Sequence, residues 1–147
     1  MKAIGLCMVL GLGACSDDGG DKAKTYTDTL TAATNCSAGA GATGTSTVNV
    51  DATNSTVTMN VTYSSLSGPV GGGHVHVMSS GAIVWDLGTN LATPITASFT
   101  AANYPSAPAD TAPATFADAV TALRAGELMV NLHTAACQNG EVSAVIH

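Results

Sequence analysis

The chain has 147 residues, which suits one domain, and it carries only 4 lysines and arginines against 10 aspartates and glutamates, for a formal net charge of −6. Such a sparsely charged, hydroxyl-rich chain is poorly suited to building a phosphate-binding patch, so its composition argues against nucleic acid as a partner. The acidic balance favours solubility and the attraction of cations.

Residues 1–14 are predicted to be a secretion signal that is removed from the mature protein. Lys2 supplies a short positive start, and residues 4–12 form an apolar run that is too short to span a bilayer as a helix. The four residues that end at Cys15, Leu-Gly-Ala-Cys, look like a bacterial lipobox, in which the cysteine is lipidated and becomes N-terminal. The alternative is an ordinary secretory signal that is cut nearby, with Cys15 incidental.

The lipobox interpretation predicts an exported protein that is anchored to the cell envelope. Residues 15–24 would form an acidic tether, and the lipid would be the chain's one contact with the membrane. In a Gram-negative cell, Ser16 in place of aspartate after Cys15 would favour the outer membrane by the usual sorting pattern.

Two cysteines remain once the N-terminal segment is set aside. Cys7 would leave with the signal, and Cys36 and Cys137 would stay in an exported domain, where a disulfide between them is the natural pairing. It would close a loop of about 100 residues, which is worth on the order of 4–5 kcal/mol in the chain-entropy model. The alternative is that Cys137, four residues after His133, is a thiolate metal ligand.

Residues 25–147 read as short strands separated by turns. Strands are predicted at residues 26–34, 45–51, 55–64, 74–78, 83–85, 95–100, 127–134 and 141–147. Glycines 71–73 are predicted to break the chain before the fourth strand, and residues 103–115, with three prolines, to form an irregular loop. One short helix is predicted over residues 116–125, before the penultimate strand. This pattern predicts an all-β, antiparallel Greek-key sandwich or barrel.

Three of the four histidines lie in two of these strands. Because alternate residues of a strand share a face, His74 and His76 point away from Val75 and Val77, and His133 points away from its apolar neighbours. If the two strands are neighbours, three imidazoles could converge on one ion at about 2.0–2.1 Å. The alternative is that these are solvated side chains on the surface of a sheet.

Three neutral imidazoles suit copper, zinc or nickel, and copper has the highest intrinsic affinity. The thioethers of Met78 and Met129 lie on the same faces and would favour Cu(I), although they could equally cover neighbouring side chains. Asn131 could orient His133 from outside the ligand set. His147 is a further candidate ligand, although a C-terminal histidine is more often free.

The motifs resemble the CHRD (chordin) domain over about residues 28–147. The features that carry the resemblance are the His74-Val75-His76 strand, the run from Gly126 to Thr134 with its Val-Asn-Leu-His-Thr segment, and the Gly140-Glu141-Val142 close. The CHRD domain is in turn similar to the copper–zinc superoxide dismutase barrel. The resemblance therefore implies that His74, His76 and His133 correspond to copper ligands on the outside of a barrel.

The sequence departs from the dismutase pattern in ways that bear on activity. It has no counterpart to the bridging histidine or the zinc loop, and Arg124 is no evident substitute for the active-site arginine. Three functions follow, in order of preference: a lipid-anchored domain that captures or stores a metal, a metal-free extracellular interaction module, and a copper-dependent dismutase-like enzyme. No catalytic residue, protein partner or oligomeric state is predicted.

Overall fold

The computed structural model describes residues 22–147, so the predicted signal, Cys15 and most of the predicted tether lie outside the described residues. The strands are β1 (Lys24–Ala32), β2 (Thr43–Val50), β3 (Thr56–Ser64), β4 (Val70–Val77), β5 (Ile83–Leu91), β6 (Ile95–Thr100), β7 (Leu128–Thr134) and β8 (Val142–Val145). The helix α1 covers Phe116–Arg124, and short 3-10 turns lie at Ser37–Gly39 and Ala101–Asn103.

The eight strands form one antiparallel sheet that curls into a nearly closed barrel. Their order is β5-β4-β7-β8-β1-β2-β3-β6. The two outermost strands, β5 and β6, follow each other in the chain and lie close together. The predicted all-β antiparallel barrel with one helix before the penultimate strand is therefore confirmed, whereas its Greek-key description stays a prediction.

Alternating side chains explain why these segments are strands. In β3, Val57, Met59 and Val61 are buried in the barrel, and Thr58 and Asn60 between them are exposed. The helix α1 begins at a capping box between Thr115 and Asp118 and buries one apolar side. Within residues 22–147, no helix is both long and apolar enough to cross a membrane.

The strand β4 begins earlier than predicted, because the glycines at 71–73 belong to it. We expected them to break the chain, but β4 is hydrogen-bonded on both sides, to β5 and β7. A Cβ atom at Gly73 would lie 3.0 Å from both Leu132 Cδ2 and Leu91 Cδ1. Glycine thus lets the backbone approach the core closely here, which is a recognised role of glycine inside strands.

The strand β5 is also longer than predicted and runs to Leu91. Two register shifts against β4 allow this, one between Gly73 and His74 and one between Val75 and His76. Gly88 adopts a φ of 102°, a backbone conformation that favours glycine. It lies beside the first of these irregularities and is still paired with Gly73. Residues that are typical of turns therefore lie within a strand here. The local sequence pattern does not show whether such residues form a turn or an irregular strand.

A disulfide joins Cys36 to Cys137, with the Cα atoms 5.7 Å apart. This confirms the predicted pairing and makes the alternative, Cys137 as a free thiolate metal ligand, wrong. The bond ties the segment after β1 to the loop between β7 and β8. Because 101 positions separate the two cysteines, the bond removes much of the freedom of the unfolded chain.

The same loop is held by a buried carboxylate. Glu141 is 0% exposed and accepts hydrogen bonds from the Ser67 backbone NH and hydroxyl and from the Thr134 hydroxyl. Burial alone would raise the pKa of Glu141, but these donors outweigh it and hold the pKa below its usual value. The ionised form is therefore the one that the fold stabilises.

Replacing Glu141 by glutamine should lower the free energy of unfolding by about 2–4 kcal/mol at pH 7, because a charged acceptor of three hydrogen bonds is lost. Glu127→Gln is the matched control, since Glu127 is the chain's other glutamate and is exposed. Urea denaturation of both variants measures the difference.

The loss of stability caused by Glu141→Gln should become smaller as the pH falls. A carboxyl group whose pKa is lowered by folding contributes stability above its usual pKa, and that stability is lost as the pH falls through the folded value. The difference in the free energy of unfolding between the native chain and Glu141→Gln should therefore decrease below about pH 4. If the difference in the free energy of unfolding stays constant from pH 7 to pH 3, this account of Glu141 is wrong.

Candidate metal centre

The candidate site lies on the outer face of four neighbouring strands, β5, β4, β7 and β8. Strand register sets the side chains in three rows across these strands. The first row is Ile83, His76, Met129 and Val145; the second is Asp86, His74, Asn131 and Ser143; the third is Thr89, Gly72 and His133. The two histidine strands are therefore neighbours, which was the condition for the three imidazoles to converge, and each row supplies one histidine.

The three imidazoles converge above β4 and β7. One ring nitrogen from each of His74, His76 and His133 lies within 4.8 Å of the other two. His74 Nδ1 and His133 Nε2 are already 3.0 Å apart. Ligand nitrogens around a tetrahedral zinc or copper ion would be about 3.3 Å apart. Small movements of the side chains would therefore suffice to close the three around one ion.

Two of the histidines are oriented by backbone carbonyl groups. His76 Nδ1 lies 2.8 Å from the Gly81 carbonyl oxygen, and His133 Nδ1 lies 2.8 Å from the Gln138 carbonyl oxygen. A carbonyl oxygen only accepts hydrogen bonds, so both Nδ1 atoms carry the proton, and in the neutral rings both Nε2 atoms keep a lone pair. This is the arrangement that metal-binding histidines typically show.

Asn131 lies under the site and contacts His76 rather than His133, the partner we expected. Its Oδ1 atom is 3.1 Å from His76 Nε2. Because that nitrogen carries a lone pair, rotation of the carboxamide to present its NH2 group gives the favourable hydrogen bond. Gly140 makes room for this side chain, since a Cβ atom at Gly140 would lie 3.1 Å from Asn131 Nδ2.

His74 is held differently, by its position between other titratable side chains. Burial lowers the pKa of His74, the nearby His133 and, less strongly, His76 lower it further, and the carboxylate of Asp86 opposes them. Asp86 Oδ1 lies 3.8 Å from His74 Nε2 and accepts a hydrogen bond from the Gly88 NH. A lowered pKa favours the neutral imidazole, which is the form that binds metals.

A groove of about 560 Å³ opens beside two of the histidines. It is bordered by the bare backbone of β4, the start of the β7–β8 loop and one side chain of β5; its lining residues are Pro69, Gly71, Gly72, His74, Thr89, His133, Thr134, Ala135 and Gln138. Gly72 lies between Thr89 and His133 in the third row and carries no side chain. The groove gives a small molecule access to the rings of His74 and His133.

The remaining predicted residues lie apart from the three imidazoles or beside them. His147 Nδ1 is 3.0 Å from Asp28 Oδ1, and His147 does not belong to the convergent group found among residues 22–147. Met129 lies directly across from His76, and Met78 follows β4 and is 46% exposed. The Arg124 side chain donates to the Asn54 side chain and to the Lys22 carbonyl group.

Sequence reasoning missed four contributors to the site. Asp86 faces His74 across the β4–β5 pair. The sequence did not predict this contact, because it depends on a cross-strand register that β-bulges establish. The Gly81 and Gln138 carbonyl groups left no signal, because a backbone acceptor does not depend on residue type. The glycine at 140 was visible in the sequence, but its contact with Asn131 depends on how the β7–β8 loop folds back.

Comparison with known proteins adds a family match. The model of the CHRD domain family matches residues 26–146, which is nearly all of the described chain. No curated protein and no solved structure matches the chain.

Gly140→Ala should strengthen metal binding by about threefold to tenfold, because the added methyl group would displace Asn131 and remove a hydrogen bond to His76 Nε2 that an ion would have to break. Gly41→Ala is the matched control, since Gly41 also has a positive φ but has open space around it. Calorimetric titration with Zn²⁺ measures both. Equal affinities for the two variants would show that Asn131 does not compete with the ion for His76 Nε2.

Proposed function

The chain belongs to the CHRD family, and we propose that it is a lipid-anchored domain of the cell envelope that binds copper through His74, His76 and His133. The observation that carries the proposal is the convergence of three ring nitrogens on one face of the barrel. Capture or storage of the metal is the role that we infer.

The donor set supports copper over other divalent ions. Three imidazole nitrogens accept zinc, nickel or copper, and copper binds most tightly to such a site in the usual order of affinities. Zinc remains the competitor because its charge and preferred geometry also suit three histidines and one exchangeable ligand. The resemblance to the copper–zinc superoxide dismutase barrel, in which a His-x-His strand and a later histidine hold copper, points the same way.

The proposed location depends on the N-terminal sequence. The lipobox-like residues before Cys15 and the acidic segment after it support export and lipidation. The disulfide between Cys36 and Cys137 fits an oxidising compartment outside the cytoplasm.

Titration of the full-length chain with Cu²⁺ should give one tight equivalent whose EPR spectrum shows nitrogen hyperfine structure. Alanine at His74, His76 or His133 should each weaken binding by more than about 100-fold, because a direct ligand matters more than an outer contact. His147→Ala is the matched control, since that histidine contacts Asp28 instead.

Two results would contradict the copper proposal. If His76→Ala and His147→Ala bind copper equally, the three histidines are not the site. If no variant binds and the native chain does not bind either, a metal-free interaction module is the better account of this domain.

Replacing Cys15 by serine should abolish incorporation of radiolabelled palmitate and release the protein from the membrane fraction. Cys7→Ser is the control, since Cys7 lies within the predicted signal and should leave labelling unchanged. Equal labelling of the two variants would rule out lipidation at Cys15 and favour an ordinary secreted protein.

The groove beside His74 and His133 favours a second candidate, a copper-dependent redox enzyme of the dismutase type. Its open side leaves a path for a small anion to the site. The copper-loaded chain would then dismutate superoxide faster than His76→Ala under the same copper load. Equal rates would leave capture or storage as the function.

A further inference from the structure

We propose that Met129 and Met78 form a thioether step beside His76, by which we mean a pair of sulfur ligands that binds monovalent copper and passes it to or from the three-histidine site. The inference rests on the proposed function and extends it, because it assigns an oxidation state and an entry side to the site.

Strand register places the two thioethers against the site. Met129 is the direct cross-strand partner of His76, and it also lies two residues from Asn131 on the same face of β7. Opposed residues of neighbouring strands have Cβ atoms about 4.5–5.5 Å apart, so the flexible Met129 side chain reaches the His76 ring. Met129 is half-buried, which leaves part of it accessible.

Met78 extends this arrangement outwards. Its backbone NH donates to the Glu127 carbonyl oxygen, which continues the β4–β7 ladder by one residue. Met78 is thus diagonal to Met129, and such neighbours are about 7–8 Å apart. The two thioethers and His76 therefore lead from an exposed position to the metal centre.

Met78 offers a donor atom to solvent at the end of the His-x-His strand. It is 46% exposed, and of the three exposed large apolar side chains in the described residues, Met78, Ile83 and Val145, it alone carries an atom that can bind a metal ion. Met59 provides the contrast, since it is 3% exposed in the barrel core. Soft thioether sulfur prefers Cu(I) to Zn²⁺, so the step would select by oxidation state.

Methyl NMR of the full-length chain labelled with ¹³C-methyl methionine tests the step, with Ag⁺ as a stable substitute for Cu(I) and Zn²⁺ as the hard competitor. Single Met→Leu substitutions assign the signals. Ag⁺ should shift the methyl signals of Met129 and Met78 and leave Met59 unchanged, and Zn²⁺ should move none of the three by direct ligation. Met129→Leu should weaken Ag⁺ binding at least about tenfold and leave Zn²⁺ affinity unchanged.

The outcomes separate this inference from the function on which it rests. If Ag⁺ binds through the histidines without shifting the Met129 signal, and Met129→Leu binds Ag⁺ normally, the thioether step is wrong and the histidine site stands. If neither Ag⁺ nor Zn²⁺ binds in a manner that requires His76, both proposals fail.

Discussion

The constraint on which the candidate site depends is the buried carboxylate of Glu141. It fixes the end of β7 to the segment that enters β4, because its hydrogen bonds come from Thr134 on one side and Ser67 on the other. A Cβ atom at Gly39 would lie 2.7 Å from Glu141 Cγ, so the 3-10 turn after β1 packs against the same side chain. The disulfide holds the loop a few residues away. The loop between β7 and β8 is therefore held in place by contacts that do not involve any metal.

The position of this loop affects the histidines through backbone contacts. The loop supplies the Gln138 carbonyl group that orients His133, and its Gly140 leaves the space that Asn131 occupies under His76. The Gln138 contact fixes the orientation of the His133 ring before an ion arrives, which would reduce the ordering that binding requires. On the other side of the site, the tight turn after β4 does the same for His76 with the Gly81 carbonyl group. The three-histidine group is thus held by two loops and two strands, with the sheet as a common base.

Much of this could be predicted from the sequence, because alternation along a strand is a local property. The outward direction of His74, His76 and His133 followed from the apolar residues between them, and the strand class followed from spacing and turns. The parts that could not be predicted depend on distant partners. Whether Gly71 ends a strand or lies within one depends on the neighbours that approach it, and the contact of Asp86 with His74 depends on two bulges in β5. Asn131 contacts His76 and not His133, although the register places it directly opposite His74, so the diagonal reach of its side chain decides which imidazole it meets.

The pairing of β4 with β7 has a consequence for when the site comes into existence. The His-x-His pair and the third histidine are separated by more than fifty residues, and β7 is paired on its other edge with the last strand of the chain. Nothing that emerges early from the ribosome or a translocation channel can hold three imidazoles together. The ligand set is complete only when the C-terminal strands have joined the barrel. If the three histidines bind a metal, as we propose, the ion that they receive is the one present in the compartment where folding finishes, and the moment at which the site forms would contribute to the choice of metal.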